Sequence, residues 1–187
     1  MSMRIMQGQF KGRLIICPQG VRPVAVHVRK ACFDILGSEV DGKHILDLFS
    51  GTGALGLEAL SCGAASLICI DKDNRSVEAI QVNIAALKSL SNTQVYLKDA
   101  NIAVRDFHSQ HRFFDIIFLD PPYYQGMLRK ILQALEEYDI VTPSGYVVGF
   151  CYHKDEFLKE SKRFSLIVEK KYGQTTLVIY RKKGDSP

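Results

Sequence analysis

The feature that most constrains the fold of this chain is an alternation of short apolar runs with amphipathic stretches from residue 43 onward. The apolar runs are rich in Val, Ile and Leu and are closed by a turn or an aspartate, as in buried parallel strands. The stretches between them have helical length and spacing. The alternation predicts an α/β fold, a doubly wound, mostly parallel sheet with helices on both faces. The predicted strands cover residues 44–49, 66–70, 93–97 and 115–119, and the predicted helices cover 54–62, 74–87, 101–110 and 125–137.

The C-terminal part of the chain completes a seven-stranded sheet. After a predicted turn at residues 143–145, residues 146–151 form the fifth strand. Two further β-rich runs follow at 164–169 and 175–180, and Gly173 is the expected turn residue between them. We therefore expect an antiparallel hairpin that closes one edge of the sheet.

Residues 1–37 do not follow the alternation and form a separate N-terminal extension. Apolar runs at 4–6 and 14–16 flank glycines, which predicts a small hairpin, and residues 24–36 have mixed helical spacing. The extension is too short for a core of its own. The expected organisation is a hairpin–helix extension over 1–37 and a main domain over 38–187.

Charge is unevenly distributed along the 187 residues, whose formal net charge is +4. Residues 1–37 hold six basic side chains and one acidic side chain, and residues 154–183 hold nine basic and four acidic ones. The centre, 38–153, holds fourteen acidic and nine basic side chains. Basic terminal regions around an acidic centre are typical of a protein that binds a polyanion at its ends and a cationic ligand in the middle. For the C-terminal stretch, ordinary solvated charge explains the pattern equally well.

Cysteines and hydropathy indicate the kind of compartment in which the chain works. The five cysteines are scattered and form no C-x-x-C pair, which predicts buried thiols in a reducing environment and neither disulfides nor a metal site. The first residues do not resemble a signal peptide, and no apolar run has the length of a membrane span. We expect a soluble, cytoplasmic protein without membrane partners.

The tetrapeptide Asp120-Pro121-Pro122-Tyr123 follows an apolar run and is suited to holding a planar amino group. The Asp120 carboxylate and the Pro121 carbonyl can both accept hydrogen bonds from an NH₂ group, and prolines have no N–H that would compete. Tyr123 offers a flat face on which a base can stack. These four residues are the predicted catalytic residues of a methyltransferase that acts on a nucleobase amine. In an alternative interpretation the prolines only end a strand and Tyr123 belongs to the core.

A glycine turn after the first predicted strand indicates a nucleotide-like cofactor. Residues 51–56 match G-x-G-x-x-G, and Asp71 follows at the spacing of a ribose-binding acid, so a nicotinamide dinucleotide must be considered. Asp47 beside the turn would repel a pyrophosphate but attract the ammonium and sulfonium groups of S-adenosylmethionine. The sequence therefore favours S-adenosylmethionine. The predicted cofactor-binding residues are Asp47, Phe49, Ser50, Gly51, Gly53, Asp71, Lys72, Asp99, Ala100 and Asp120.

Four acids end successive predicted strands and should line one edge of the sheet, where ligands of open parallel sheets bind. Asp71 is expected to take the ribose hydroxyls. Asp99 is expected to accept from the adenine amine, with the Ala100 N–H donating to the ring. Each acid alone could equally be a helix N-cap, but Asp47, Asp71, Asp99 and Asp120 form a series with one member per strand.

The chain resembles the RsmD type of bacterial methyltransferases, which modify N2 of a guanine in small-subunit ribosomal RNA. The central motifs are shared widely among amino-methyltransferases, whereas the terminal ones are more specific. The matching segments are 3–14 (MRIMQGQFKGRL), 22–23, 28–29, 33–36, 46–60 (LDLFSGTGALGLEAL), 118–123 (FLDPPY) and 172–175 (YGQT).

The resemblance implies a Rossmann-like class I methyltransferase fold, S-adenosylmethionine as cofactor and no metal. It also implies methyl transfer to guanine N2 in 16S ribosomal RNA and a partly assembled small subunit as substrate. Separately, we expect the protein to be a monomer. The extension would then contact RNA, and its candidate phosphate-binding residues are Arg4, Lys11, Arg13, Arg22 and Arg29.

Two alternatives remain open from the sequence. A DNA adenine-N6 or cytosine-N4 methyltransferase uses the same tetrapeptide, although this chain has no spare segment for target recognition. The other alternative is a non-catalytic assembly factor that binds RNA and keeps a relic pocket. It is favoured by Val24-Ala25-Val26-His27, which stand where the family usually has Thr-Asp-Arg; Arg29-Lys30 likewise replace a usual Arg-Glu pair.

Overall fold

The computed structural model describes residues 2–18, 20–21, 23–87 and 92–184. Its elements alternate in the predicted way from β3 onward. They are β1 (Ser2–Arg4), β2 (Leu14–Ile16), α1 (Val26–Leu36), a 3₁₀ turn (Gly37–Val40), β3 (His44–Asp47), α2 (Ala54–Ser61), β4 (Ser66–Asp71), α3 (Asn74–Ala86), β5 (Thr93–Leu97), α4 (Ala100–Ser109), β6 (Phe114–Leu119), α5 (Met127–Glu137), β7 (Val141–Tyr152), β8 (Phe164–Tyr172) and β9 (Thr175–Lys182).

The main sheet has seven strands in the order β5-β4-β3-β6-β7-β9-β8, which confirms the predicted fold class. The first five are parallel neighbours, whereas β9 pairs antiparallel with both β7 and β8. The predicted hairpin thus lies at one edge of the sheet. Tyr172 pairs with Thr175, so the turn between β8 and β9 has two residues and begins at Gly173, whose φ is 59°.

Apolar side chains on both faces of the sheet are covered by helices. Ile45, Ile116 and Phe118 share a buried cluster with side chains of α1, α2 and α3. Leu46 and Ile117 point the other way, into a cluster with α4 and α5. The period-two alternation of neighbouring strand residues between two covered faces explains why these strands are apolar throughout. Among the described residues, no helix is long and apolar enough to cross a membrane.

The strand β7 begins earlier than predicted. Its pairing with β6 jumps from Val141 opposite Phe114 to Tyr146 opposite Ile116, so residues 142–145 form a bulge inside the strand. Ser144 has a φ of 60° within this bulge. The expected turn at 143–145 is therefore wrong: the Pro-Ser-Gly sequence bends the strand without ending it.

The N-terminal hairpin is present, and it packs on the main domain. Its second strand matches the prediction, whereas the first lies at Ser2–Arg4 and not at 4–6. Ile5 and Ile15 are buried in the same cluster as α2 and the sheet. The extension therefore adds to the main core and has no separate core of its own.

Two buried polar side chains attach the extension to α2 and α3. Glu58 Oε1 accepts the backbone N–H groups of Met6 at 2.8 Å and Gln7 at 2.7 Å. Asn83 of α3 exchanges two hydrogen bonds with the backbone of Ile16 and donates a third to the carbonyl of Thr52 at 3.1 Å. These contacts position the hairpin beside the glycine turn.

Candidate active site

The turns that follow β3, β4, β5 and β6 lie together at the carboxyl ends of these parallel strands. The register places Asp47 opposite Cys69 on one side and Phe118 on the other, so the three strands end within two residues of one another. A cavity of about 470 Å³ opens at this end of the sheet. Within the described residues its lining comes from 20–21, 23–24, 48–52, 54–55, 71–73, Ser76, 98–100, 120–124 and Met127.

The glycine turn is closed by short backbone contacts that require small residues. Gly51 has a φ of 51° and donates its N–H to Asp71 Oδ2 at 2.7 Å. Gly53, at 76°, precedes the first residue of α2 in the left-handed conformation. A Cβ on Gly56 would lie 2.6 Å from Leu67 Cδ1, so this glycine lets α2 pack closely on β4.

The Ser50 side chain holds the turn against the sheet. Its hydroxyl donates to the carbonyl of Asp47 at 2.7 Å and accepts the N–H of Ile70 at 3.1 Å. The Ser50 N–H in turn donates to the Ile70 carbonyl at 3.0 Å. The ladder between β3 and β4 is thereby extended into the turn, which fixes the backbone that faces the cavity.

Asp47 is fully buried beneath the turn and does not line the cavity. Its Oδ2 accepts the Gly56 N–H at 3.3 Å, and its Oδ1 has no hydrogen-bond partner. Burial raises the pKa of this carboxyl to about 7; the Gly56 N–H opposes the shift, and the charge of Asp71 adds to it. Asp47 can therefore act on a bound cation only through space, across a medium of low polarity.

Two of the strand-end acids also have structural roles. Asp71 accepts from Gly51 through Oδ2 and from the Asp73 N–H through Oδ1 at 2.9 Å. Asp99 caps α4, with its Oδ1 accepting from Asn101 N–H at 2.9 Å. Both residues also line the cavity. Asp99 can therefore cap α4 and bind a ligand at the same time.

The corner 120–124 follows β6 and lines the cavity together with the glycine turn. Pro121 is buried, whereas Pro122 is exposed. The Tyr123 hydroxyl lies 3.2 Å from Thr175 Oγ1 of β9. Tyr124 has a φ of 65° and donates its N–H to Asp155 Oδ2 at 3.0 Å. The corner is thus tied to β9 and to the segment after β7.

The charged groups in the lining are mostly acidic. The described lining residues include four aspartates and only two lysines. One of these lysines, Lys98, lies with its Nζ 2.6 Å from Asp106 Oδ2 on α4, outside the cavity. A cavity of this charge favours a cationic ligand and disfavours a pyrophosphate.

Most residues predicted for the site lie together. The cavity lining includes all four residues of the Asp-Pro-Pro-Tyr motif and eight of the ten residues expected at the cofactor. Asp47 and Gly53 are the two that do not line it. Asp47 lies buried beneath the turn, and Gly53 ends the turn in the left-handed conformation that leads into α2.

The residues expected to contact RNA do not form one group. Arg4, Lys11 and Arg13 are exposed on the hairpin, and Arg22 lies outside the described residues. Arg29 is a correction: it is fully buried, its Nε lies 3.2 Å from Glu58 Oε2, and its Nη2 donates to the Arg4 carbonyl at 2.7 Å. This guanidinium cannot reach a phosphate, because it holds the extension onto α2.

The extension also contributes lining residues that sequence reasoning missed. Gly20, Val21, Pro23 and Val24 line the cavity, and a Cβ on Gly51 would lie 3.1 Å from Val21 Cγ1. These residues are small or apolar, and their sequence carries no chemical signal for a binding site. Only folding brings this segment, which follows the hairpin, beside the glycine turn.

Comparison with known proteins gives a consistent result. A family model described as "Conserved hypothetical protein 95" matches residues 3–181. The chain is 34% identical to the Bacillus subtilis (strain 168) protein YlbH, named as a candidate rRNA methyltransferase, over 97% of this chain and 100% of the relative. It is 30% identical to "Ribosomal RNA small subunit methyltransferase D" of Escherichia coli (strain K12), over 97% of this chain and 91% of the relative.

Solved structures agree with these matches. The Escherichia coli protein yhhF, described as a candidate methyltransferase, superposes with a TM-score of 0.85 at 30% identity and covers 99% of this chain and 100% of its own. An RNA methyltransferase from Salinibacter ruber, solved with S-adenosyl-L-homocysteine, gives a TM-score of 0.67 at 17% identity over 89% and 97% of the two chains. The second likeness shows a shared fold.

Proposed function

Because the chain belongs to the family of the ribosomal RNA small subunit methyltransferase D proteins, we propose that it methylates the exocyclic N2 amine of a guanine in 16S ribosomal RNA. The methyl donor is S-adenosylmethionine, in agreement with the methyltransferase relatives and with the S-adenosyl-L-homocysteine held by a structural neighbour. The observation that carries the proposal is the shared cavity: the glycine turn and the Asp-Pro-Pro-Tyr corner line the same space.

The donor set of the cavity fits S-adenosylmethionine, which supplies a methyl group activated by a positively charged sulfur. Asp71 is fixed by two backbone N–H groups and would bind the ribose hydroxyls. Asp99 and Ala100, at the start of α4, would bind the adenine edge. The acidic lining and the buried, unpaired Oδ1 of Asp47 favour the positively charged end of the molecule.

The corner would hold the target amine. Asp120 and the Pro121 carbonyl each accept one hydrogen of the guanine NH₂ group, which favours a pyramidal nitrogen and directs its lone pair into the cavity. Positioning of this kind can contribute up to about 7–11 kcal/mol. Tyr123 stacks on the guanine, which must leave its helix or loop to enter the pocket. Asp120 or water then takes the proton from the product amine.

Substitution of Asp120 tests this assignment. Asp120→Ala should lower kcat for methyl transfer to unmodified small subunits by about 100-fold or more, because the loss of a charged acceptor is worth about 1.5–3 kcal/mol and removes the proton acceptor as well. Asp120→Asn, which keeps one acceptor oxygen, should retain more activity than Asp120→Ala. Radiolabelled methyl incorporation measures both, and calorimetry with S-adenosylmethionine checks that the pocket still binds.

Two results would contradict the proposal. If Asp120→Ala methylated as fast as the wild type, the corner would not hold the amine. If the wild type modified duplex DNA but not small subunits or their RNA, the enzyme would belong to the DNA amino-methyltransferases in its activity.

A further inference from the structure

A row of aromatic rings leads away from the mouth of the cavity. The ring centroids of Tyr124 and Tyr152 are 4.5 Å apart, and those of Tyr152 and His153 are 4.3 Å apart. The Tyr123 ring lies 6.4 Å from that of Tyr124. We refer to Tyr124, Tyr152 and His153 as the aromatic shelf. Tyr124, at its inner end, is 65% exposed although it also lines the cavity.

The shelf is held rigidly in spite of its exposure. Tyr124 has a φ of 65°, a conformation that is costly for a bulky residue and that persists only when neighbouring contacts impose it. Its N–H donates to Asp155, whose own N–H donates to the Tyr152 carbonyl at 2.8 Å. The His153 N–H donates to the Gln174 carbonyl at 2.9 Å in the β8–β9 turn. Three segments of the chain thus fix the shelf beside the pocket.

We propose that the aromatic shelf stacks the unpaired nucleotide next to the target guanine. This inference rests on the proposed function and adds to it a contact that selects single-stranded RNA. A guanine that enters the pocket remains bonded to its neighbours, which must therefore lie at the rim. Tyr123 would face the target base, and the exposed ring of Tyr124 would receive the adjacent one. Stacking accepts any base, because every base has a π face.

The charges around the shelf are compatible with RNA. The two acids near the shelf, Asp155 and Glu156, are matched by two basic residues, Arg129 and Lys154, and Glu156 Oε2 lies 2.8 Å from Arg129 Nη1. Lys154, in the same segment, is exposed and would add a positive charge for a phosphate. The shelf is also continuous with the pocket, whereas a surface that binds a separate protein need not adjoin it.

The test compares three variants in methyl transfer to an in vitro 16S RNA transcript and to small subunits from cells without this gene. Tyr124→Ala should lower kcat/KM by about 5- to 150-fold on both substrates, the range expected for the loss of one base–aromatic stack. Tyr124→Phe should keep most of the activity, because the ring and not the hydroxyl makes the contact. Phe113→Ala removes an exposed aromatic residue just before β6, at the amino ends of the parallel strands and away from the cavity, and should change nothing.

Each outcome bears on a distinct part of the inference. Equal activities of wild type and Tyr124→Ala would overturn the shelf and leave the proposed function intact. A loss in Tyr124→Phe as large as that in Tyr124→Ala would also overturn it, as would a loss confined to assembled subunits, which would indicate a protein contact. An inactive wild type would overturn the proposed function and the shelf with it. The affinity for S-adenosylmethionine, measured by calorimetry, should be the same in all variants.

Discussion

Asp47 has a carboxyl group buried beneath the turn that lines the cavity. Its carboxyl is completely buried, one oxygen has no partner, and burial raises its pKa to about 7. In the unfolded chain the same group titrates near 3.8. Because the folded protein holds the proton more tightly, the contribution of Asp47 to stability is fully present below pH 4 and is lost as the pH rises through 7. A bound cation reverses the preference, since it stabilises the ionised carboxylate.

Asp47→Asn should therefore change two pH profiles. Relative to the wild type, the variant should gain stability as the pH is raised from 5 to 8, because the amide carries no charge to bury. The wild type should bind S-adenosylmethionine more tightly than the variant at pH 8, and the difference should shrink towards pH 6. Denaturant unfolding and calorimetry at several pH values measure the two effects. Parallel profiles for the two proteins would show that Asp47 does not titrate in this range.

The individual site residues were predictable where their chemistry has few alternatives. Strand-end acids, a glycine turn and an Asp-Pro-Pro-Tyr motif carry their signal in the residue types themselves. Val21 and Val24 carry no such signal, because apolar side chains in a short extension are equally suited to a core. For Arg29 the residue type was misleading. A basic residue in a basic segment suggested contact with RNA, but Arg29 pairs with Glu58. The two residues are 29 positions apart, and only folding brings them together.

Among the elements, α2 links the extension to the active site. Its Glu58 accepts two N–H groups of the hairpin and faces Arg29, and both side chains are almost completely buried. The same helix begins at the glycine turn. Any disturbance of this contact should therefore loosen the extension, whose residues Gly20, Val21, Pro23 and Val24 line the cavity.

Glu58→Ala should lower the free energy of unfolding by about 3–5 kcal/mol, because it leaves the Arg29 charge buried without its partner. Urea unfolding monitored by circular dichroism measures the loss. Lys30→Ala is the matched control: Lys30 pairs with Asp34 on the surface at 2.6 Å, and its removal should cost at most about 0.5 kcal/mol. A loss below about 1 kcal/mol for Glu58→Ala would mean that the buried pair does not hold the extension.

Strand β7 shows which element boundaries the sequence could not provide. The Pro-Ser-Gly sequence at 143–145 has the composition of a turn, and the local signal for a turn is the same as that for a bulge. The choice depends on β6, which continues to pair on both sides of residues 142–145. By contrast, the ends of β4, β5 and β6 follow from apolar runs that are closed by an aspartate or a charged turn, and these were predicted to within one residue.

For the whole molecule, the alternation of strands and helices was sufficient to predict the sheet, because each apolar run must be buried between two helical layers. The distribution of charge makes a further prediction about RNA binding. The exposed Lys11 and Arg13 lie on the hairpin of the extension. Lys162 is also exposed but lies just before β8, next to the amino ends of the parallel strands and away from the cavity.

The affinity for RNA should fall steeply with salt, and the hairpin lysine and arginine should account for part of the slope. Lys11→Ala and Arg13→Ala should each reduce the slope of log K against log salt concentration by about 0.7–0.9, the value for one phosphate contact. Lys162→Ala should leave it unchanged. Fluorescence anisotropy with a labelled small-subunit RNA fragment measures the slopes. Equal slopes for all three variants and the wild type would place the RNA on another surface.

The most direct test of the account is the mass of the modified nucleoside. Small subunits from cells without this gene are incubated with the purified protein and S-adenosylmethionine, and their RNA is digested to nucleosides and analysed by mass spectrometry. The acidic cavity with its Asp120-Pro121 corner predicts that N2-methylguanosine appears in proportion to the protein added. No methylated nucleoside, or one methylated on adenine or cytosine, would contradict it.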